Sequence, residues 1–105
     1  MNNPYGITDN SYSLILETIA NLPGIEKAVI FGSRAMGNSK KGSDIDLAIF
    51  GPDIEFDMIA RLQSILNQQL PIPYHVDVVH FDTVENKELQ NHINEEGIEI
   101  WSRDQ

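Results

Sequence analysis

Apolar positions recur along this chain at two periods, and the switching between them lays out a small domain of alternating helices and strands. Leu14, Ile15, Ile19 and Leu22 fall at helical spacing, with Ser11 as the expected N-cap and Pro23-Gly24 as the stop. Residues 26–31 read as a strand whose apolar run is Ala28-Val29-Ile30-Phe31. Residues 33–36 fit a single helical turn ended by Gly37, and residues 38–42 form a polar loop expected to be mobile. A second strand spans residues 44–50, with Ile45, Leu47 and Ile49 on one face, and Gly51-Pro52 ends it. Phe56, Ile59, Leu62, Ile65, Leu66 and Leu70 make the stripe of a longer helix, closed by Pro71 and Pro73. Residues 75–80 give the third strand. A weaker helix capped by Asp82 or Thr83 runs to Glu95, Gly97 stops it, and residues 98–101 form a last short strand.

Connection lengths constrain how these pieces pair. The link between the first two strands is too short for a packed crossover helix, so they are expected to be antiparallel neighbours, with Ser33 and Asp44 meeting at one edge. The helical connection to the third strand allows a parallel partner, which sets Asp77 next to Asp46. The expected fold class is α/β of the α+β kind, a small mixed β-sheet with helices packed on it. Residues 1–10, with Pro4, Gly6 and Asn10, read as a flexible lead-in, and residues 11–105 as a single domain.

The candidate chemistry lies between Gly32 and Leu47. Gly32 can relieve the crowding where the chain turns after the first strand, and Ser33 can expose a hydroxyl and an N–H. Asp44 and Asp46, two apart, point to the face opposite Ile45, Leu47 and Ile49. Two carboxylates about 5 Å apart repel by roughly 3 kcal/mol at an effective dielectric near 20, so something positive is expected between them. Arg34, Lys40 and Lys41 supply basic charge close by; Arg34, on the helical turn, is the better candidate for a phosphate contact, and the two lysines are read as solvated. No Gly-x-x-x-x-Gly-Lys-Ser/Thr loop is present, and the aspartates lack the remainder of an EF-hand loop.

Charge narrows the partners. Seven basic residues against sixteen acidic ones give a formal charge of −9, which disfavours a nucleic-acid backbone and favours a basic protein surface or a small molecule. At 105 residues the chain can bury one core and has no room for a second substrate-binding domain. It has no cysteine, no apolar run of membrane-spanning length, and a start, Met1-Asn2-Asn3-Pro4, unlike a secretory signal; a cytoplasmic location is expected. Whether copies of the chain associate is left open.

Gly-Ser, a short helix and Ser-Asp-x-Asp-Leu in that order resemble the signature of the minimal nucleotidyltransferases of the DNA polymerase beta superfamily. The likeness runs from about Glu26 to Trp101 and includes Asp77, in Tyr74-His75-Val76-Asp77-Val78-Val79, as the match to a third aspartate from a later strand. The resemblance implies the polymerase-beta-like palm fold. It implies a Mg²⁺-dependent transfer of a nucleoside monophosphate, AMP from ATP first among them, to a hydroxyl. Asp44, Asp46 and Asp77 would then hold two Mg²⁺ ions, and Gly32 and Ser33 would bind the β- and γ-phosphates through backbone N–H groups at the helical turn. Chains this small in that family are commonly antitoxins of an all-helical HEPN ribonuclease toxin, which makes a toxin tyrosine the implied acceptor. One departure is Met36, where the family usually carries Arg or Lys; it keeps open a second reading, a module that neutralises its partner by binding alone. An antibiotic-modifying transferase would need an acceptor pocket that this chain does not obviously offer.

Other residues have plainer readings. The three histidines show no metal-ligand spacing, and His75, on the strand face of Asp77, is read as an ordinary half-buried residue. Asp53, Glu55 and Asp57 are helix-start acids. Ile98, Ile100 and Trp101 finish the core or lie at an interface.

Overall fold

The first helix begins earlier than its apolar stripe suggests, because Thr8, not Ser11, is its N-cap: Thr8 Oγ1 accepts the Ser11 N–H at 3.3 Å, and Ser11 itself is buried. The computed structural model describes residues 3–40 and 42–103, so that Lys41 lies outside the described residues, as do residues 1–2 and 104–105. In chain order the elements are α1 (Asp9–Ala20), β1 (Lys27–Phe31), α2 (Ser33–Met36), β2 (Ile45–Phe50) and α3 (Phe56–Ser64), the last continued by a π-helical turn at Ile65–Gln69. Then come β3 (Val76–His80), a 3₁₀ turn (Phe81–Thr83), α4 (Lys87–Glu96) and β4 (Ile98–Ser102).

Of the segment read as a flexible lead-in, the described residues from Asn3 onward are packed. Ile7 is fully buried in the main core, and Tyr5 lies against it beside Tyr12. The start of α4 also differs from expectation. Asn86 caps it by accepting the Leu89 N–H at 3.0 Å, because Phe81–Thr83 is taken up in the 3₁₀ turn, where the Thr83 hydroxyl donates to the His80 carbonyl at 3.0 Å.

The sheet order is β3-β2-β1-β4. β1 pairs antiparallel with β2 and with β4, and β2 pairs parallel with β3. One face of the sheet carries Ala28, Ile30, Ile45, Leu47, Ile49, Val76 and Val78, all buried, and closes on Ile15 and Ile19 of α1 and Leu62 and Leu66 of the α3 unit. The period-two alternation puts Val29, Phe31 and Ala48 on the other face, where Ile93 of α4 covers them. Ile100 and Trp101 pack against the main core as partly buried residues, while Ile98 is exposed.

β3 is an edge strand, and helical side chains bond the first three backbone groups along its outer edge. Gln63 accepts the Val78 N–H at 2.8 Å and donates to the Val76 carbonyl at 2.9 Å. Asn67, on the π-helical turn, accepts the Val76 N–H at 2.8 Å and donates to the same carbonyl at 2.7 Å. These amides act as a stand-in for a fifth strand and fix the strand that bears Asp77.

Candidate active site

The register of the sheet brings two of the predicted carboxylates together. In the parallel ladder Asp46 of β2 is paired directly with Asp77 of β3, and on its other side Asp46 is paired with Phe31 of β1. Directly paired residues share a sheet face, so Asp46 and Asp77 lie side by side on the face that also carries Phe31 and Ala48. Asp44 precedes β2 by one residue and is exposed, as is Asp77, whereas Asp46 is partly buried. Burial raises the Asp46 carboxyl above its ordinary range; repulsion from Asp77 and then Asp44 adds to the effect, and His92 and Arg34 oppose it.

Gly32 closes the site from the β1 side. It holds φ 77 and ψ −155, a conformation open to glycine almost alone, and a Cβ built on it would collide with Asp46 Oδ2. The carboxylate thus lies in the space that the missing side chain leaves. Gly32→Ala is expected to cost roughly 2 kcal/mol, within the range for such backbone strain, and to displace Asp46. Gly37→Ala, at φ 80 but with open space around it, is expected to cost only about 1 kcal/mol, and urea titration of the two variants measures both values.

The expected role of the turn needs one correction. The Gly32 N–H, read as a phosphate donor, is bonded to His92 Nε2 of α4 at 3.0 Å. The Gly32 carbonyl accepts from Ala35 and Met36, so α2 forms as expected, and Gly37 caps it in the left-handed region. Among the described residues the amides of Ser33 and Arg34 have no acceptor, which leaves them and the Ser33 hydroxyl as the donors of the turn.

Arg34 does not project toward a ligand. Its side chain is buried and makes four hydrogen bonds to three backbone carbonyls: Nε and Nη2 to Ser43 at 3.2 and 2.6 Å, and Nη1 to Tyr5 at 2.9 Å and Gly6 at 3.2 Å. It also stacks 4.8 Å from the ring centre of Tyr74. The guanidinium is spent on tying the N-terminal segment to the residue before Asp44, which is why it is unavailable to a phosphate. Lys40 is exposed and joins Ser43 in a turn, its carbonyl accepting the Ser43 N–H at 3.0 Å. His75, expected to be half-buried, is exposed; its carbonyl accepts the Ile45 N–H at 2.8 Å and starts the β2–β3 ladder.

Two observations bear on whether this site suits a divalent cation. All the acidic donors are carboxylate oxygens, the ligand type that hard cations require, and among the described residues no Lys or Arg forms an ion pair with Asp44, Asp46 or Asp77. As the side chains stand, no three acidic or histidine groups among the described residues converge closely enough to ligate one ion. The donor chemistry suits a divalent cation at the Asp46–Asp77 pair, whose two carboxylates would not by themselves complete its ligand set. His92 escaped the sequence reading because a single histidine in a polar helix carries no spacing signal.

Residues 14–105 match the family model described as polymerase beta, nucleotidyltransferase. No curated protein matches the chain by sequence. Among solved structures the chain is similar to one of a toxin–antitoxin with AMP-PNP, at 24% identity and a TM-score of 0.70, over 91% of this chain and 74% of that one. It is also similar to one of a tri-AMPylated Shewanella oneidensis HEPN toxin in complex with MNT antitoxin, at 21% identity and a TM-score of 0.67, over 90% and 72% of the two chains. At these identities the likeness carries the fold alone.

Proposed function

This chain belongs to the polymerase beta nucleotidyltransferase family, and on that premise we propose that it transfers AMP from ATP to a hydroxyl, a tyrosine of a HEPN-type toxin partner, and so acts as an antitoxin. The observation that carries the reading is the direct pairing of Asp46 with Asp77 beside the Gly32–Ser33 turn. In the transfer the hydroxyl releases its proton to solvent, its oxygen bonds to the α-phosphorus, the bond from the α-phosphorus to the oxygen bridging to the β-phosphorus breaks, and pyrophosphate leaves. The free amides of Ser33 and Arg34 and the Ser33 hydroxyl orient the β- and γ-phosphates. Asp77, exposed on the outer strand, and Asp44, exposed just before β2, are the carboxylates open to an incoming hydroxyl. Asp46, Asp77 and Asp44 would hold Mg²⁺, taken as two ions, which when bound supplies neutralising charge to the phosphoryl oxygens and the leaving group.

The similar structures support the choice of nucleotide and of partner, since one contains AMP-PNP and another a tri-AMPylated HEPN toxin. The formal charge of −9 suits a more basic partner. Among the described residues no helix is long and apolar enough to cross a membrane.

Incubation of the purified chain with ATP, Mg²⁺ and a HEPN-type partner encoded beside it is expected to add the mass of one or more AMP groups to the partner. Inhibition of the partner with no added mass would instead establish neutralisation by binding alone. With ATP and Mg²⁺ at about a hundredfold over the dissociation constant, thermal unfolding should also report a gain of roughly 2.7 kcal/mol.

A further inference from the structure

We infer that His92 is a positioning residue of the nucleotide site, acting through the Gly32 N–H; the inference rests on the nucleotidyltransferase reading above and extends it to α4. The hydrogen bond spans sixty residues of sequence and is made by a ring nitrogen that must be unprotonated to accept it. The ring is itself fixed, meeting Phe31 edge-on with centroids 5.9 Å apart and planes at 77°. Phe31 is the residue before Gly32 and the β1 partner of Asp46, so His92 holds both sides of the peptide that enters the turn.

The consequence is local and directional. Anchoring the Gly32 N–H to α4 fixes the orientation of the Phe31–Gly32 peptide, and with Gly32 at ψ −155 that orientation sets where the next amide, Ser33 N–H, points. It also keeps the Gly32 Cα against Asp46 Oδ2. One imidazole therefore aligns the phosphate-binding donors with the carboxylate pair, from an element outside the signature that carries the rest of the site.

The test compares His92→Phe, which keeps the ring edge on Phe31 and removes the acceptor, with His92→Gln, whose side-chain oxygen can accept the same N–H. His92→Phe is expected to speed hydrogen exchange at the Gly32 amide and to weaken binding of Mg-ATP roughly five- to tenfold, the scale of one lost hydrogen bond. It should raise KM for ATP with little change in kcat, and His92→Gln should restore wild-type affinity to within about twofold. Wild-type affinity in a folded His92→Phe, or tighter binding, overturns the inference while leaving the nucleotide site intact. Failure of the wild type to bind Mg-ATP overturns the nucleotide reading and this role with it. A measurement on the wild type alone decides the matter if the variants do not fold. The through-bond NMR coupling between the Gly32 amide and His92 Nε2 should persist when Mg-ATP saturates the protein, and its disappearance would mean that phosphate displaces His92.

Discussion

Asp46→Asn is expected to abolish transfer and, at neutral pH, to make the nucleotide-free protein more stable. The first effect follows from the place of Asp46 between Phe31 and Asp77, where it is the one partly buried carboxylate of the three. If a bound cation contributes several kcal/mol to the transition state, loss of this ligand should lower the rate by about a thousandfold or more. The second effect follows from linkage. Burial, Asp77 and Asp44 hold the folded carboxyl above its ordinary value, so the folded chain binds that proton more tightly than the unfolded chain does. Stability then falls as pH rises from the unfolded value to the folded one, and the full cost remains at higher pH. Asn carries no charge and escapes the cost. A melting temperature higher than wild type by a few degrees at pH 7, with the difference gone in acid below the ordinary carboxylate range, is the expected profile. An Asp46→Asn protein that transfers AMP at the wild-type rate would remove Asp46 from the chemistry.

Arg34→Ala is expected to cost stability on a larger scale, roughly 3 to 5 kcal/mol, because it removes the partner of three backbone carbonyls in a buried setting. Since about 1 kcal/mol shifts the melting temperature of a domain of this size by some 4–8 °C, the fall should exceed about 12 °C. Arg34→Lys should recover little, since one ammonium group cannot reach Ser43 on one side and Tyr5 and Gly6 on the other in the planar fork that arginine provides. Urea unfolding of the three proteins measures this directly. A variant that kept wild-type stability but lost ATP affinity would return Arg34 to the phosphate role that its position on the helical turn suggests.

These two residues also mark what the sequence makes legible. Asp46 and Asp77 can be paired from sequence because each step has a strong local cause: period two fixes the sheet face, a short link forces antiparallel pairing, and a helical link allows the parallel partner. The strands and α2 follow for the same reason. The fate of Arg34 depends instead on a segment with little pattern of its own. Ile7 is the one branched aliphatic residue among residues 1–10, so that segment reads as loose, yet its burial draws the Tyr5 and Gly6 carbonyls onto the guanidinium. Asn86 is hidden as a cap by Asp82 and Thr83, equally good candidates that the 3₁₀ turn consumes. His92 depends on a contact across sixty residues, for which no local rule exists.

The side-chain amides along the outer side of β3 decide how other molecules can approach. A strand offered by a neighbouring chain would find the Val76 N–H and carbonyl and the Val78 N–H already bonded to Asn67 and Gln63, which opposes lateral growth of the sheet on the side that bears Asp77. That guards the carboxylate edge against edge-to-edge aggregation through hydrogen bonds already made, without a proline in the strand. It also dictates the route of an acceptor, which must come down over the sheet face and cannot add itself alongside as an extra strand.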